Sequence, residues 1–374
     1  MDKPNSILSK IVLGLFFLCL HTAVQAQHIF KGSIVDFENQ EPVPYATVFL
    51  TNTTFGVSAD ENGSFSISIP DGNYEVIVRM LGYSHLTYKI QTDNLPAQGF
   101  KFMLDREEEE LETVEVETER DPAWYRNLEL FKSYFLGTSK NGKNCIIEND
   151  KVLRIDDQSE PGLLQVNATE PLKIHNPLLG YYIDYSLVDF KFKRSQGYVF
   201  YGGYSLFIPD STLSKRKLRK AKKQREIAYH GSMQHLIRSM YEGNTSEQGF
   251  TIRKLYRMPN PNDSSKFIDQ VESKPIAVDK LVQRNAAGKV FLAFEDYLYI
   301  TFSKEKESAE YRGTATSGPA GPQVSLMHLE TDSMEIYANG SYADPYGILV
   351  EGYIAWERVG DLLPMDYKPE AGSN

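Results

Sequence analysis

From Ile29 to Leu104 the chain alternates short apolar runs with Gly, Asn, Asp and Pro, at spacings of roughly 8 to 12 residues. Such runs are too short for packed helices, and they constrain the segment to a small, turn-rich β structure. Phe65, Ile67 and Ile69 alternate with serines, so one face of that strand is expected to be buried and the other wet. Asn62-Gly63 and Asp71-Gly72 tolerate the positive φ of hairpin tips. Pro42 and Pro44 hold the chain extended before the second strand. Strands are predicted near Ile29 to Asp36, Ala46 to Thr51, Thr54 to Ser58, Ser64 to Ile69, Tyr74 to Leu81, Ser84 to Gln91 and Phe100 to Leu104. Seven strands of this kind make a β-sandwich.

The residues ahead of this segment read as a processing signal. Lys3 and Lys10 precede an apolar run from Ile11 to Leu20, and Val24-Gln25-Ala26 supplies compact residues for cleavage before Gln27. A bilayer needs about 20 apolar residues, so the run is too short to span one, and no later run is long enough. Export to the periplasm or the outer-membrane-associated cell envelope is expected, with no transmembrane segment after cleavage. Leu18 stands where a small residue would precede a lipidated Cys19, which argues against lipidation. Cleavage leaves Cys145 as the only thiol, so no internal disulfide can form. A lone Cys of this kind reads as a small apolar packer. With 41% hydrophobic residues the chain can build real cores. Its formal charge of −10 argues against nucleic-acid binding, which needs a basic domain.

The succession Gly32-Ser-Ile-Val-Asp, Pro42-Val-Pro-Tyr-Ala-Thr-Val, Asp60-Glu-Asn-Gly-Ser-Phe, Gly72-Asn-Tyr-Glu-Val and Leu81-Gly-Tyr resembles a carboxypeptidase-like regulatory domain. The resemblance covers residues 29–104, about a fifth of the chain. It implies a seven-stranded, transthyretin-like β-sandwich. Such domains accompany metallocarboxypeptidase catalytic domains, the N-termini of TonB-dependent outer-membrane receptors, and many exported bacterial proteins. The resemblance therefore implies a fold and no peptidase activity.

The expected organisation is a signal peptide at 1–26, the sandwich at 27–104, an acidic linker at 105–121, an α+β domain at 122–369 and a disordered tail at 370–374. The linker holds ten carboxylates against two arginines, a net of −8, and reads as a solvated, self-repelling spacer. Within it, Glu112-Thr113-Val114-Glu115-Val116 resembles a TonB box, which would make the protein an accessory of a TonB-dependent uptake system. In the second region Asp121 and Pro122 can cap a helix carrying Trp124, Leu128, Phe131 and Phe135 on one face, with Gly137 to end it. Strand-like segments follow, interrupted by helix from about Thr212 to Glu242. The fold class expected is mainly β: the sandwich, then an antiparallel sheet, open or barrel-like, with two or three helices. The stretches from Ala228 to Gly243 and from Glu351 to Pro364 are similar to an uncharacterised region that follows regulatory-like domains in exported bacterial proteins.

Reactive chemistry finds little support. Metallocarboxypeptidases bind zinc through His-x-x-Glu and a distant His, but none of His21, His28, His85, His175, His230, His235 and His328 has Glu three residues on. His328-Leu-Glu330 could face one way on a strand, a weak metal signal. There is no G-x-S-x-G, no P-loop and no G-x-G-x-x-G. No catalytic residue, metal ligand or cofactor is assigned. Carboxylate pairs such as Glu295-Asp296 leave a peptidase or glycosidase with a cryptic site as the alternative, with His175, His230 or His328 available beside acidic neighbours.

The most unusual feature of the second region is a cluster of eight cations in eleven residues: Lys215, Arg216, Lys217, Arg219, Lys220, Lys222, Lys223 and Arg225. On a helix they wrap around the axis. They suit anionic headgroups, acidic polysaccharide or an acidic envelope protein. The function expected is a non-catalytic, exported envelope protein with a binding or assembly module and a partner- or glycan-binding α+β domain.

Overall fold

The computed structural model describes residues 27–107, 120–313 and 318–370. Residues 1–26, read above as a signal peptide, most of the segment read as an acidic linker, with Glu112 to Val116, and residues 371–374 lie outside the described residues.

The first seven strands are β1 (Gln27–Asp36), β2 (Thr47–Leu50), β3 (Gly56–Ser58), β4 (Ser64–Pro70), β5 (Asn73–Arg79), β6 (Leu86–Gln91) and β7 (Phe100–Leu104). They form two sheets, β4-β1-β7 and β3-β2-β5-β6, packed face to face as the expected sandwich. The β1–β7 pair is parallel; the other pairings are antiparallel. Phe30, Ile34, Val48, Leu50, Val76 and Val78 fill its core. β4 alternates between exposed and buried residues, as its Ser-apolar pattern requires. β2 and β5 behave differently: Val48, Phe49 and Leu50 are all buried, and so are Val76, Ile77 and Val78. Three consecutive buried residues mean that both faces of the strand are covered. The second cover is the rest of the protein.

Helix α1 (Pro122–Phe135) opens the second region, with the Asp121 carboxylate accepting from the Trp124 N–H at 2.6 Å. Its Trp124, Leu128, Phe131 and Phe135 face a six-stranded sheet. That sheet comprises β8 (Ile146–Ile147), β9 (Leu153–Asp156), β10 (Leu163–Ala168), β11 (Leu172–Asn176), β12 (Tyr181–Lys193) and β13 (Tyr198–Pro209). Its order is β8-β11-β12-β10-β9, with β13 along the other edge of β12. The short helix α2 (Lys140–Asn144) precedes it. Helices α3 (Lys215–Tyr229), α4 (Met233–Glu242) and α5 (Thr245–Gln248) follow.

A second antiparallel sheet contains β14 (Phe250–Asn260), β15 (Asp263–Val271), β18 (Tyr297–Lys306), β19 (Pro322–Leu329) and β21 (Ile348–Gly352) in the order β15-β14-β18-β19-β21. A third small sheet joins β16 (Val282–Arg284), β17 (Val290–Leu292) and β20 (Met334–Ile336). Leu236, Ile237 and Met240 of α4 pack on Phe250, Ile252, Ile300 and Phe302 as a separate core. One-turn helices α6 (Ala309–Arg312) and α7 (Tyr353–Trp356) complete the fold.

The fold class is therefore mainly β, with the expected sandwich. After it, the antiparallel strands of the second region are divided among three sheets, none closed into a barrel. Three helices of ten or more residues accompany them among the described residues, together with four of about one turn. The helical interruption breaks at Gly231, whose φ of 84° ends α3 and whose missing side chain leaves room for Gln323 and Phe302.

Candidate functional site

The eight cations fall on α3, which Ser214 caps by accepting from the Lys217 N–H. One side of α3 is spoken for. Ala221, Ala228 and Tyr229 are buried. The Arg225 guanidinium donates to the carbonyls of Leu179 (2.6 Å) and Gly180 (3.0 Å) and lies 4.0 Å over the Tyr181 ring. Arg225 is thus a structural residue. Lys222 pairs with Glu370 at 2.8 Å. The remaining six, Lys215, Arg216, Lys217, Arg219, Lys220 and Lys223, are exposed and make no ion pair among the described residues. Arg216, Arg219, Lys220 and Lys223 recur at i, i+3, i+4 and i+7, so the outward side of α3 carries a cationic stripe. The cations wrap the helix as a set, but burial of one side leaves them a single direction in which to act.

The sandwich sits against the same region. The turn after β2 adds onto the free edge of β13: Asn52 N–H donates to Ser205 O (2.6 Å), and Phe207 N–H donates to Thr53 O (2.9 Å). Phe49 and Ile77 pack on Leu206. Arg79 donates to Asp184 (2.6 Å) and Ser186 (3.0 Å), and Lys173 reaches the other Asp184 oxygen at 2.9 Å. The chain's end closes the seam: Met365 N–H donates to Asn52 O (2.7 Å), and Asp366 accepts from the N–H and hydroxyl of Thr54 (2.8 and 2.6 Å). Arg238 holds this terminal strap through the carbonyls of Met365, Tyr367 and Asn339.

Between sandwich, α3, α4 and strap lies a cleft of about 780 Å³, with Phe55, Tyr74, Tyr229, His230, Arg238 and Asp366 on its walls. Several of its ionisable groups are committed elsewhere. Asp366 and Arg238 are fastened as above, Glu370 pairs with Lys222, and Asp71 accepts from Thr92. His235 accepts from Gly231 N–H through Nδ1 and bonds Gln248 through Nε2, and burial holds its pKa down to about 4. It is a neutral structural histidine. Burial, with Asp366 and Asp71 nearby, pushes the Tyr74 phenol up to about 12. His235, Tyr74 and the fastened groups are therefore not poised for proton transfer near neutral pH.

One carboxyl elsewhere is. Burial pushes Glu305 at the end of β18 up to about 7, against a long hydrogen bond from Gln323 (3.4 Å). Glu357 is also raised, by burial and by Asp361 and Glu305 beside it. Tyr311, Tyr353 and Trp356 cluster nearby with ring centroids 4.9–5.5 Å apart. The histidines weighed from the sequence do not converge. His175 stacks on Tyr182 beside Asp210, His230 lines the cleft, and His328 contacts the Asp296 carbonyl and stacks on Tyr297. Among the described residues no group of three His, Cys, Asp or Glu is placed to hold a metal ion. No described helix is long and apolar enough to cross a membrane. Sequence reasoning missed Arg79, Asp184, Asp366 and Glu305; only the consecutive apolar residues of β2 and β5 signalled a covered outer face.

No curated protein matches the chain. Among solved structures, a protein of unknown function from Bacteroides fragilis, provisionally described as membrane-associated, is 11% identical, with 88% of this chain and 96% of that one covered and a TM-score of 0.17. A DUF3823 family protein from Bacteroides uniformis is 10% identical over 83% and 98% of the two chains, with a TM-score of 0.16. At these scores neither carries an argument about fold or role. Residues 30–116 match the family model of the CarboxypepD_reg-like domain, so the sandwich, and not the chain as a whole, is what the comparisons tie to a known family.

Proposed function

We propose that this chain is an exported, non-catalytic cell-envelope protein in which the regulatory-like sandwich is an assembly module and helix α3 holds an anionic partner, such as headgroups, acidic polysaccharide or an acidic envelope protein. The observation that carries this reading is the outward cationic stripe of Arg216, Arg219, Lys220 and Lys223. Like charges at i, i+4 and cations in the first turn of a helix both reduce its stability. The stripe is therefore a burden to the fold that an anionic partner would relieve. The cleft is in keeping with the non-catalytic part, because its Asp366 and Arg238 hold the terminal strap in place.

The test compares the full chain with an Arg219→Glu, Lys220→Glu, Lys223→Glu variant for binding to heparin and to phosphatidylglycerol vesicles. Salt-sensitive binding, lost in the variant with no fall in thermal midpoint, is expected. Equal binding by the variant, or no binding to either probe at low salt, refutes the reading.

A hydrolase is the second reading, favoured by Glu305 and Glu357. A carboxyl held near 7 beside a second carboxyl and an aromatic wall has the properties of a general acid. Turnover of peptides or glycans that Glu305→Gln abolishes would establish it.

A further inference from the structure

The end of the sandwich farthest from the cleft is an apolar tip ringed by carboxylates. Phe37 and Tyr45 are more than half exposed, Met103 nearly half, and Leu81 is 90% exposed. Glu38, Glu41, Asp60, Glu61, Asp105 and Glu107 stand exposed around them. Asp36 beneath is already paired with Arg106 at 2.7 Å. The tip is held in shape. Phe37 N–H donates to Leu104 O (2.8 Å), Ser84 N–H to Asp105 O (2.9 Å) and Glu107 N–H to Gly82 O (3.1 Å), which ties the β1–β2 and β5–β6 connections to the end of β7. Gln40 donates to the Phe37 carbonyl and reaches the Met103 sulfur. Tyr83 Oη donates to Asp36 (2.9 Å). Leu81 is thus presented on a fastened turn, and covering it would cost little further ordering. Grouped apolar side chains left in water mark an interaction surface.

The chain carries a surface of matching composition and opposite sign. One turn beyond Lys223 the cationic stripe of α3 continues into Ile227, which is more than half exposed, and Leu218 is exposed between Lys215 and Lys222. Apolar burial between two such surfaces supplies affinity, and their opposite charges select the pairing. A molecule does not bring its own tip to its own α3. Strand β13 runs along the sandwich from His85, whose ring lies 5.8 Å from that of Tyr204, to Thr53, which accepts from Phe207 N–H. Only beyond that end does the chain enter α3. Tyr74 meets the far end of α3 across the cleft, and Leu81 lies past the other end of the same seven-residue strand, about 23 Å away. An α3 that covers the tip therefore comes from another molecule.

We propose that the Leu81 tip of one molecule docks on the α3 stripe of a second copy of this chain, with Leu81 and Phe37 against Ile227 and the tip carboxylates beside Arg219, Lys220 and Lys223. This rests on the reading of α3 as the seat of an anionic partner and names that partner. The contact is head-to-tail, so a pair keeps one free tip and one free α3, and further copies can add.

The test is sedimentation velocity of the full chain at about 0.05 M and about 0.5 M salt. The average mass should rise with protein concentration at low salt and fall back toward the monomer at high salt. Leu81→Ser should weaken association by at least about tenfold, the value of burying one leucine, at an unchanged thermal midpoint. The stripe variant Lys220→Glu, Lys223→Glu should weaken it as much. An equimolar mixture of the two variants should form one-to-one pairs, because the intact tip of one meets the intact α3 of the other. A monomer at every concentration in low salt, association that either variant leaves unchanged, or a mixture that stays monomeric overturns the proposal. Leu81→Ser should bind heparin as the unmodified chain does. Heparin binding by a chain that stays monomeric would overturn the self-docking and leave the anionic-partner reading of α3 standing.

Discussion

Replacing Arg79 with Met should loosen the whole molecule, because Arg79 belongs to the sandwich and neutralises a carboxylate of the neighbouring sheet. Asp184 is 7% exposed and takes its shortest hydrogen bond, 2.6 Å, from Arg79. Breaking a fully buried ion pair costs about 3–5 kcal/mol. Here the Arg79 side chain is 22% exposed and Lys173 remains at 2.9 Å, so the loss should be nearer ~2 kcal/mol. The bond to Ser186 goes as well, within that figure. At a urea m value of about 3 kcal/mol/M the midpoint would fall by about 0.7 M. Trp124 and Trp356 both lie outside the sandwich, so tryptophan fluorescence reports the second region alone. A fall seen by that probe shows that a sandwich residue stabilises the other module. A double-mutant cycle with Asp184→Asn should give a coupling of at least about 1 kcal/mol. A midpoint shift under ~0.2 M, or strict additivity in the cycle, would refute the reasoning.

Other outcomes follow from the same structure. Glu305 has its pKa raised by burial to about 7, so the unfolded chain ionises first and stability falls as pH rises from about 4.5 to about 7. The group is part-exposed and screened, so Glu305→Gln should stabilise by about 1 kcal/mol at pH 8 and negligibly at pH 4, as read by thermal melts. Burial and the nearby Asp361 push the Cys145 thiol up to about 12, so iodoacetamide at neutral pH should label the native protein slowly and the urea-unfolded protein fast. Arg225→Met should cost about 2 kcal/mol through two uncovered carbonyls and the lost ring contact, whereas Lys220→Met should stay within about 0.5 kcal/mol in urea titrations.

The sandwich was legible because its determinants are local. Asn62-Gly63 and the alternation through Phe65, Ile67 and Ile69 need no knowledge of the rest of the chain. Helix α1 announced itself through Asp121, Pro122 and its apolar period. The start of α4 is legible too, because Gly231-Ser232 stand just ahead of the apolar period of Met233, Leu236, Ile237, Met240 and Tyr241, and Gly243 can end it. Strand β15 escaped because Ser264, Ser265 and Lys266 dilute its alternation, although Asn260-Pro261-Asn262 offered a turn. The division into three sheets is set by which strand edges meet over long separations, and short patterns do not encode that. The fasteners between modules were equally hidden: Arg79 and Asp184 are 105 residues apart, and Thr54 and Asp366 are 312 apart.

That last separation has a consequence for biogenesis. Everything the sandwich needs for its own core lies within residues 30–104, yet further partners of Asn52 and Thr54 lie at Met365 and Asp366. A nascent chain can fold its leading module early, but this part of the seam closes only once Met365 and Asp366 have been synthesised. Termination before Met365 would leave the Arg79 and β13 fasteners in place and remove the strap's bonds to Asn52 and Thr54.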